Sequence, residues 1–326
     1  MPPPPSISHA HWLLASVPVQ KLDEAISSPK LSELKRDGPN LVLASDSLVV
    51  KVRTISGIFD RLRTRFGRGR LARQAAGATT LAPIGILTAQ VLGHGTAQIF
   101  NNPCELLVMQ RLPGVSLLAL MQNPRTPIAT EHAIADALGK QIAQMTMAGW
   151  FNRDHKPSNL IVQIGSAATS TISNTPDTPT IAIIDTVDIL PIKPRHKFLA
   201  AAVRMLTSLL LEPTGCNCPP RRALRRRVLL ALHRELWVLQ GESNATANAS
   251  TARPTSHVFG QKLSDPGATV PATSLLETPG LNTPNADTVD AEWESQSTRA
   301  VWNMTRDRIA AHLKKHGSAT PKVSPI

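Results

Sequence analysis

The sequence predicts an α+β chain of two lobes, a small antiparallel sheet followed by a helical half, with a low-complexity tail. Three observations predict it. Short β-branched runs at 41–43, 48–52, 84–92 and 106–109 crowd the first third of the chain. Longer stretches with helical apolar spacing, at 130–147, 198–211 and 221–239, fill the middle. From Gly241 the composition turns to Ser, Thr, Asn, Ala, Pro and Gly, too poor in apolar side chains to offset the entropy of ordering. The implied boundaries are a disordered 1–18, a first lobe over 19–112 and a second over 113–240. A disordered linker at 241–287, a helix at 288–316 and a disordered 317–326 complete the chain.

The elements follow in order. The proline-rich start, Met1-Pro-Pro-Pro-Pro5, predicts an unstructured opening of about a dozen residues. Residues 19–34 read as a short helical lead-in broken by Pro29, and Asp37-Gly-Pro-Asn40 as a turn. Residues 41–43 and 48–52 form a hairpin around Ala44-Ser-Asp-Ser47. Lys51 lies within its second strand, among Val49, Val50 and Val52. Taken locally it is an edge-strand lysine facing water; if buried, it requires an anionic partner. Six arginines between 61 and 73 form either a solvated face or an anion-attracting one, and a small-residue helix runs from Gln74 to Leu81. Strands at 84–92 and 106–109 lead through Gln110-Arg-Leu-Pro-Gly114 into a helix over 116–121. The 130–147 helix leads into Asn152-Arg-Asp-His-Lys-Pro-Ser-Asn159, which precedes the apolar run 160–164. After a Ser/Thr/Asn/Pro-rich loop comes Ile181-Ala-Ile-Ile-Asp185, an apolar run ending in a carboxylate.

Composition narrows the partners. Lys and Arg number 35 against 23 Asp and Glu, a net charge of +12, which favours an anionic partner. Aromatics make up 3% and tyrosine is absent, which argues against stacking recognition of nucleic acid. Three cysteines fit a reducing compartment without disulfides, and Cys216-Asn-Cys218 has no partner pair at zinc spacing. No segment reads as a signal peptide or a membrane span; the apolar run at 198–211 is interrupted by Arg204. The expectation is a cytoplasmic protein, touching the inner membrane peripherally through its arginine-rich segments.

The residues that carry chemistry stand in a telling order. Phosphoryl transfer needs a lysine on nucleotide phosphates, a base at the acceptor hydroxyl, and an Asn and an Asp to hold Mg²⁺ between ATP phosphates. Lys51 in a strand, Asp154, Asn159 five residues later and Asp185 at a strand end supply that series. Singly, each has an ordinary reading as a turn former, cap or surface charge.

These segments resemble the bacterial lipopolysaccharide kinases of the Kdo/heptose kinase family, in the protein-kinase-like superfamily. The resemblance spans roughly 35–240 and rests on Leu48-Val-Val-Lys-Val52, Ile84-Gly-Ile-Leu-Thr88, and residues 106–114, 152–162, 181–188, 197–211 and 221–239. It implies an antiparallel-sheet N-lobe, a helical C-lobe, ATP with Mg²⁺, and a sugar hydroxyl of an anionic glycolipid as acceptor. It further implies that Lys51 binds the α- and β-phosphates, Asp154 is the base, Lys156 neutralises the γ-phosphate, and Asn159 and Asp185 ligate the metal. Gln74 stands where the family places a lysine-pairing Glu. Asn152 replaces the usual His of the loop, Thr186-Val187 follow Asp185 in place of Phe-Gly, and no Gly-rich loop precedes Lys51. Only about a dozen residues separate Asp185 from the next helix, too few for the peptide-binding segment of a protein kinase. A degenerate, nucleotide-binding scaffold and an atypical Ser/Thr protein kinase are the alternative readings.

Overall fold

A computed structural model describes residues 7–99, 101–164, 178–192, 198–251 and 286–316. The first lobe is a six-stranded sheet. Its strands are β1 (Ile7–Ala15), β2 (Ser32–Asp37), β3 (Asn40–Ala44), β4 (Leu48–Thr54), β5 (Val91–Ile99) and β6 (Asn102–Gln110), ordered β1-β5-β6-β4-β3-β2 and paired antiparallel throughout. Helix α1 (Val19–Ile26) covers one side through Leu22 and Ile26. Those two pack with Leu43, Val50, Val52, Leu106 and Val108, the inward-facing residues of three neighbouring strands. Helices α2 (Gly57–Arg65) and α3 (Arg70–Leu81) follow β4, and Leu71 and Ala75 of α3 cover Leu107 and Met109 on the other face.

Three expectations fail in this lobe. Residues 7–15, expected to be disordered, form β1 along β5. The prolines end at Pro5, and β5 supplies an edge shaped to receive the strand. A Cβ at Gly95 would stand 2.4 Å from the His11 carbonyl oxygen, and one at Gly93 would stand 2.6 Å from Leu22 Cδ1. Those glycines also hid β5, which runs over 91–99 rather than 84–92; Pro83 and Gly85 keep the earlier stretch in a 3₁₀ turn. The lead-in helix likewise stops at Ile26, and 32–37 is β2, an all-exposed strand carrying Glu33, Lys35, Arg36 and Asp37. At the opposite edge, β1 is broken by two register shifts, with His9 at φ 54.

The second lobe is helical, with small ribbons. Strand β7 (Val115–Ser116) leads to α4 (Leu117–Gln122), where the Ser116 hydroxyl caps the helix by accepting from Ala119 N at 3.2 Å. Helix α5 (Ile128–Met147) is the central one. Its apolar residues at helical spacing, Ile134, Leu138, Ile142 and Met145, are all buried. Strands β8 (Trp150–Asn152), β9 (Leu160–Gln163), β10 (Thr180–Ile183) and β11 (Ile189–Pro191) form two ribbons, β10-β9-β7 and β11-β8. Helices α6 (Phe198–Gly215), α7 (Arg222–Thr251) and α8 (Ala286–His316) enclose the core. Helix α7 lies close along α5, where a Cβ at Gly139 would meet Ala231 Cβ at 2.6 Å. It also extends past the expected boundary at 240. The linker beyond 251 lies outside the described residues, as do 317–326 and most of the loop before β10.

Candidate active site

The junction of the two lobes gathers residues singled out by sequence. Lys51 sits on β4, which is an inner strand between β3 and β6, so the water-facing edge reading does not hold. Its ammonium donates to Gln74 Oε1 at 3.1 Å and to the Ile184 carbonyl at 3.3 Å. Burial pushes the Lys51 pKa down, the nearby Asp185 carboxylate opposes that shift, and Arg70 adds to it. A charged lysine there benefits from an anion beyond the dipoles it already has.

Gln74 does more than face Lys51. Its Nε2 donates to the Ile184 carbonyl at 2.9 Å, and its own carbonyl accepts from the buried Thr186 hydroxyl at 2.5 Å. A Cβ at Gly77 would stand 2.0 Å from the Thr186 carbonyl oxygen, so α3 approaches the turn after Asp185 at backbone contact. Thr186, where the resemblance expects a Phe, thus ties the acidic turn to α3 by a hydrogen bond rather than by apolar packing.

The loop 152–159 closes on itself. Asn152 Oδ1 accepts from Asp154 N at 3.0 Å, an Asx-type turn that orients the acid. Asn159 Nδ2 donates to the Asp154 carbonyl at 3.1 Å and to Asp154 Oδ2 at 3.0 Å. Lys156 Nζ stands 3.2 Å from the same Oδ2, with both side chains more than a third exposed. Both Asn159 bonds use the donor end of the amide; a cation takes the other end, Oδ1. The loop joins the Lys51 cluster through the backbone, since Ile184 N donates to the Asn159 carbonyl at 3.0 Å. Asp185 follows directly, and its Oδ1 accepts from Val187 N at 3.3 Å.

Three further side chains shape the site, and the sequence pattern did not single them out. Glu212 of α6, 6% exposed, accepts from Ser158 N at 2.8 Å and from Ser158 Oγ at 2.6 Å, fixing the loop to the helical core. His155 is fully buried, neither ring nitrogen has a hydrogen-bond partner, and burial pushes its pKa down to about 4. Glu105 of β6 is also fully buried. Its Oε1 accepts from Ala72 N at 2.8 Å, in the first turn of α3, and lies 3.1 Å from His94 Nε2. Its Oε2 has no hydrogen bond, with the Arg53 guanidinium 3.9 Å away. A Ser in the Lys-Pro-Ser-Asn run marked one end of the first contact; nothing local marks Glu212 or Glu105.

Asp185 and Asn159 offer a carboxylate and an amide oxygen, hard donors suited to Mg²⁺, which takes few protein ligands and completes its shell with water and phosphate oxygens. Among the described residues no cluster of three or more His, Cys, Asp or Glu side chains forms a metal cage. A wider groove of about 1040 Å³ lies elsewhere, between α5, α7 and α8, lined by Arg222, Arg225, Arg226, Arg234 and Arg299. Its acid, Asp136, is taken by a bidentate Arg227, and His132 also lines it.

No family model matches the chain, and no curated protein sequence matches it. Solved structures do. A structure of WaaP in complex with acyl carrier protein shares 16% identity over 74% of this chain and 96% of that one, with a TM-score of 0.45. The bifunctional kinase-methyltransferase WbdD shares 18% identity over 63% of this chain, which spans about half (47%) of that protein's length, with a TM-score of 0.35. Vaccinia related kinase 3 shares 12% over 65% of this chain and 86% of that one, with a TM-score of 0.37. The chain itself is two-lobed: a lysine-bearing strand, a helix facing it, a D-x-x-x-x-N loop and a strand-terminal acid meet where the lobes join.

Proposed function

We propose that this chain is an ATP- and Mg²⁺-dependent phosphotransferase acting on a sugar hydroxyl of an anionic, lipopolysaccharide-like glycolipid. One observation carries the proposal: Lys51, Ile184, Asn159 and Asp154 form a continuous hydrogen-bonded chain from the sheet lobe to the helical lobe. That chain brings an ammonium, two carboxylates and an amide to one cleft. With Mg²⁺ bound, ATP phosphates gain a counter-charge and an aligned leaving group. Asp185 and Asn159 would hold the ion, and Lys51 would take the α- and β-phosphates. Asp154 accepts the proton of the acceptor hydroxyl as its oxygen bonds to the γ-phosphorus and the bond to ADP breaks. Because Asn159 and Lys156 both bind Oδ2, Oδ1 is the oxygen positioned for that proton. Lys156 is close enough to release Asp154 and neutralise the transferred group. The arginine groove suits the anionic remainder of the acceptor.

The decisive measurement is ATP binding and turnover with and without Mg²⁺. Wild type binds ATP with a Mg²⁺-dependent thermal shift, Asp185→Ala abolishes the Mg²⁺ dependence, and Asp154→Asn binds ATP but loses transfer by about a hundredfold or more. Absence of Mg²⁺-dependent ATP binding in wild type sinks the reading. One observation favours a second reading: Gln74 gives Lys51 a neutral partner rather than a carboxylate. Tight ATP binding without transfer to any acceptor in a lipid A–core panel would establish a nucleotide-binding scaffold instead.

A further inference from the structure

Helix α2 leaves an apolar face in water. Ile58, Phe59, Leu62 and, just past the helix end, Phe66 are 69%, 77%, 44% and 71% exposed. At about 100° per residue these four share one arc of about 100°. Arg61 and Arg65 border that arc on one side and Arg63 on the other, while Thr64, 3% exposed, faces the opposite way into the protein. Asp60 is drawn back by Arg53, 2.8 Å away, so it does not offset the arginines. No ion pair holds Arg61, Arg63, Arg65 or Arg68 among the described residues.

We propose that α2 is a membrane-surface helix, its apolar face entering an anionic bilayer while the flanking arginines take lipid phosphates. Single exposed apolar residues are ordinary, but four adjoining ones within nine positions are not. The surround selects the occupant. Cations stand on both borders of the face, and their long stems let the charge remain at headgroup level while the rings enter the acyl boundary. A bilayer rich in anionic lipid rewards both features at once. The helix is far too short to cross a membrane, so it lies in the interface plane. It leads after four residues into α3, where the charge of Arg70 reaches Lys51, so anchoring α2 brings the cleft to the bilayer. The inference stands on α2 itself and goes beyond the phosphotransfer reading; it requires neither ATP nor turnover.

The test is co-sedimentation of the full chain, without nucleotide, with vesicles of phosphatidylcholine alone or mixed with phosphatidylglycerol. Wild type sediments with the mixed vesicles and poorly with the neutral ones. The double substitution Phe59→Ser/Phe66→Ser weakens binding to mixed vesicles by about tenfold or more. Replacing Arg61, Arg63 and Arg65 with Gln removes the preference for anionic lipid, as does raised salt. All five side chains are exposed to solvent, so unchanged melting temperatures confirm intact folds. Failure of wild type to bind mixed vesicles, or wild-type binding by both variants, overturns the proposal. So does self-association in the ultracentrifuge that Phe59→Ser/Phe66→Ser removes while no vesicle binding is seen; that result assigns the face to a second copy.

Discussion

His155 illustrates what one buried residue costs inside the 152–159 loop. A neutral imidazole still carries an N–H donor, and here it is buried without an acceptor, a penalty of about 1–3 kcal/mol. Its pKa falls from 6.5 to about 4 through burial. Between those values the unfolded chain binds a proton that the folded chain refuses, so stability falls as pH drops from about 6.5 towards 4. The full shift corresponds to roughly 3 kcal/mol. His155→Leu is therefore expected to raise stability at pH 7 and to raise it more at pH 4.5, measured by urea unfolding; an equal gain at both values would refute the linkage. The neighbouring Asp154 and Asn159 were legible because their chemistry fixes a spacing, five residues between acid and amide. His155 was not, since nothing local distinguishes a buried imidazole from a solvent-facing one. Gln74, at the position where the resemblance expects a lysine-pairing Glu, accepts from Lys51 at 3.1 Å.

At the scale of elements, α3 decides the geometry around Lys51, and Glu105 holds α3. Burial pushes the Glu105 carboxyl up, but His94 and the backbone donors of Ala72 and Leu71 outweigh it, leaving a net pKa below its ordinary 4.5. A carboxylate at a helix N-terminus is favoured by both the free N–H groups and the dipole. Glu105→Gln is expected to cost about 1–3 kcal/mol at neutral pH. Because the folded value is depressed, the stabilisation is present above the unfolded pKa and is lost as pH falls through the folded one. The gap between variant and wild type should therefore narrow in acid; a constant gap from pH 7 to pH 3 would show that the charge is irrelevant. Helices and inner strands were readable from apolar period, as α4, α5, β3 and β4 attest. Strand β1 was not, because the prolines before it dominate local composition, and β5 was masked by glycines whose purpose is to admit β1. Tertiary fit, rather than propensity, wrote both.

For the whole molecule, the helical core is closed by α8. Val301 and Thr305 are 8% and 0% exposed, and Trp302 carries the Arg225 guanidinium 5.5 Å from its ring centroid. Beneath them lie Leu206, Leu209, Leu224 and Val228. A chain ending before residue 286 is expected to expose that surface, bind a hydrophobic dye and melt several degrees lower; an unchanged melting temperature would show that α8 is an appendage. The sheet lobe faces a different hazard, since an open sheet has two unpaired borders able to recruit strands from other molecules. One border is β2, lined with ionic side chains; the other is β1, twice out of register. Charge blocks the first template and bulging bends the second, so neither presents the flat, apolar edge on which strands of separate chains stack. Concentrated solutions of this protein should thus resist β-type aggregation even though its first lobe is built on an open sheet.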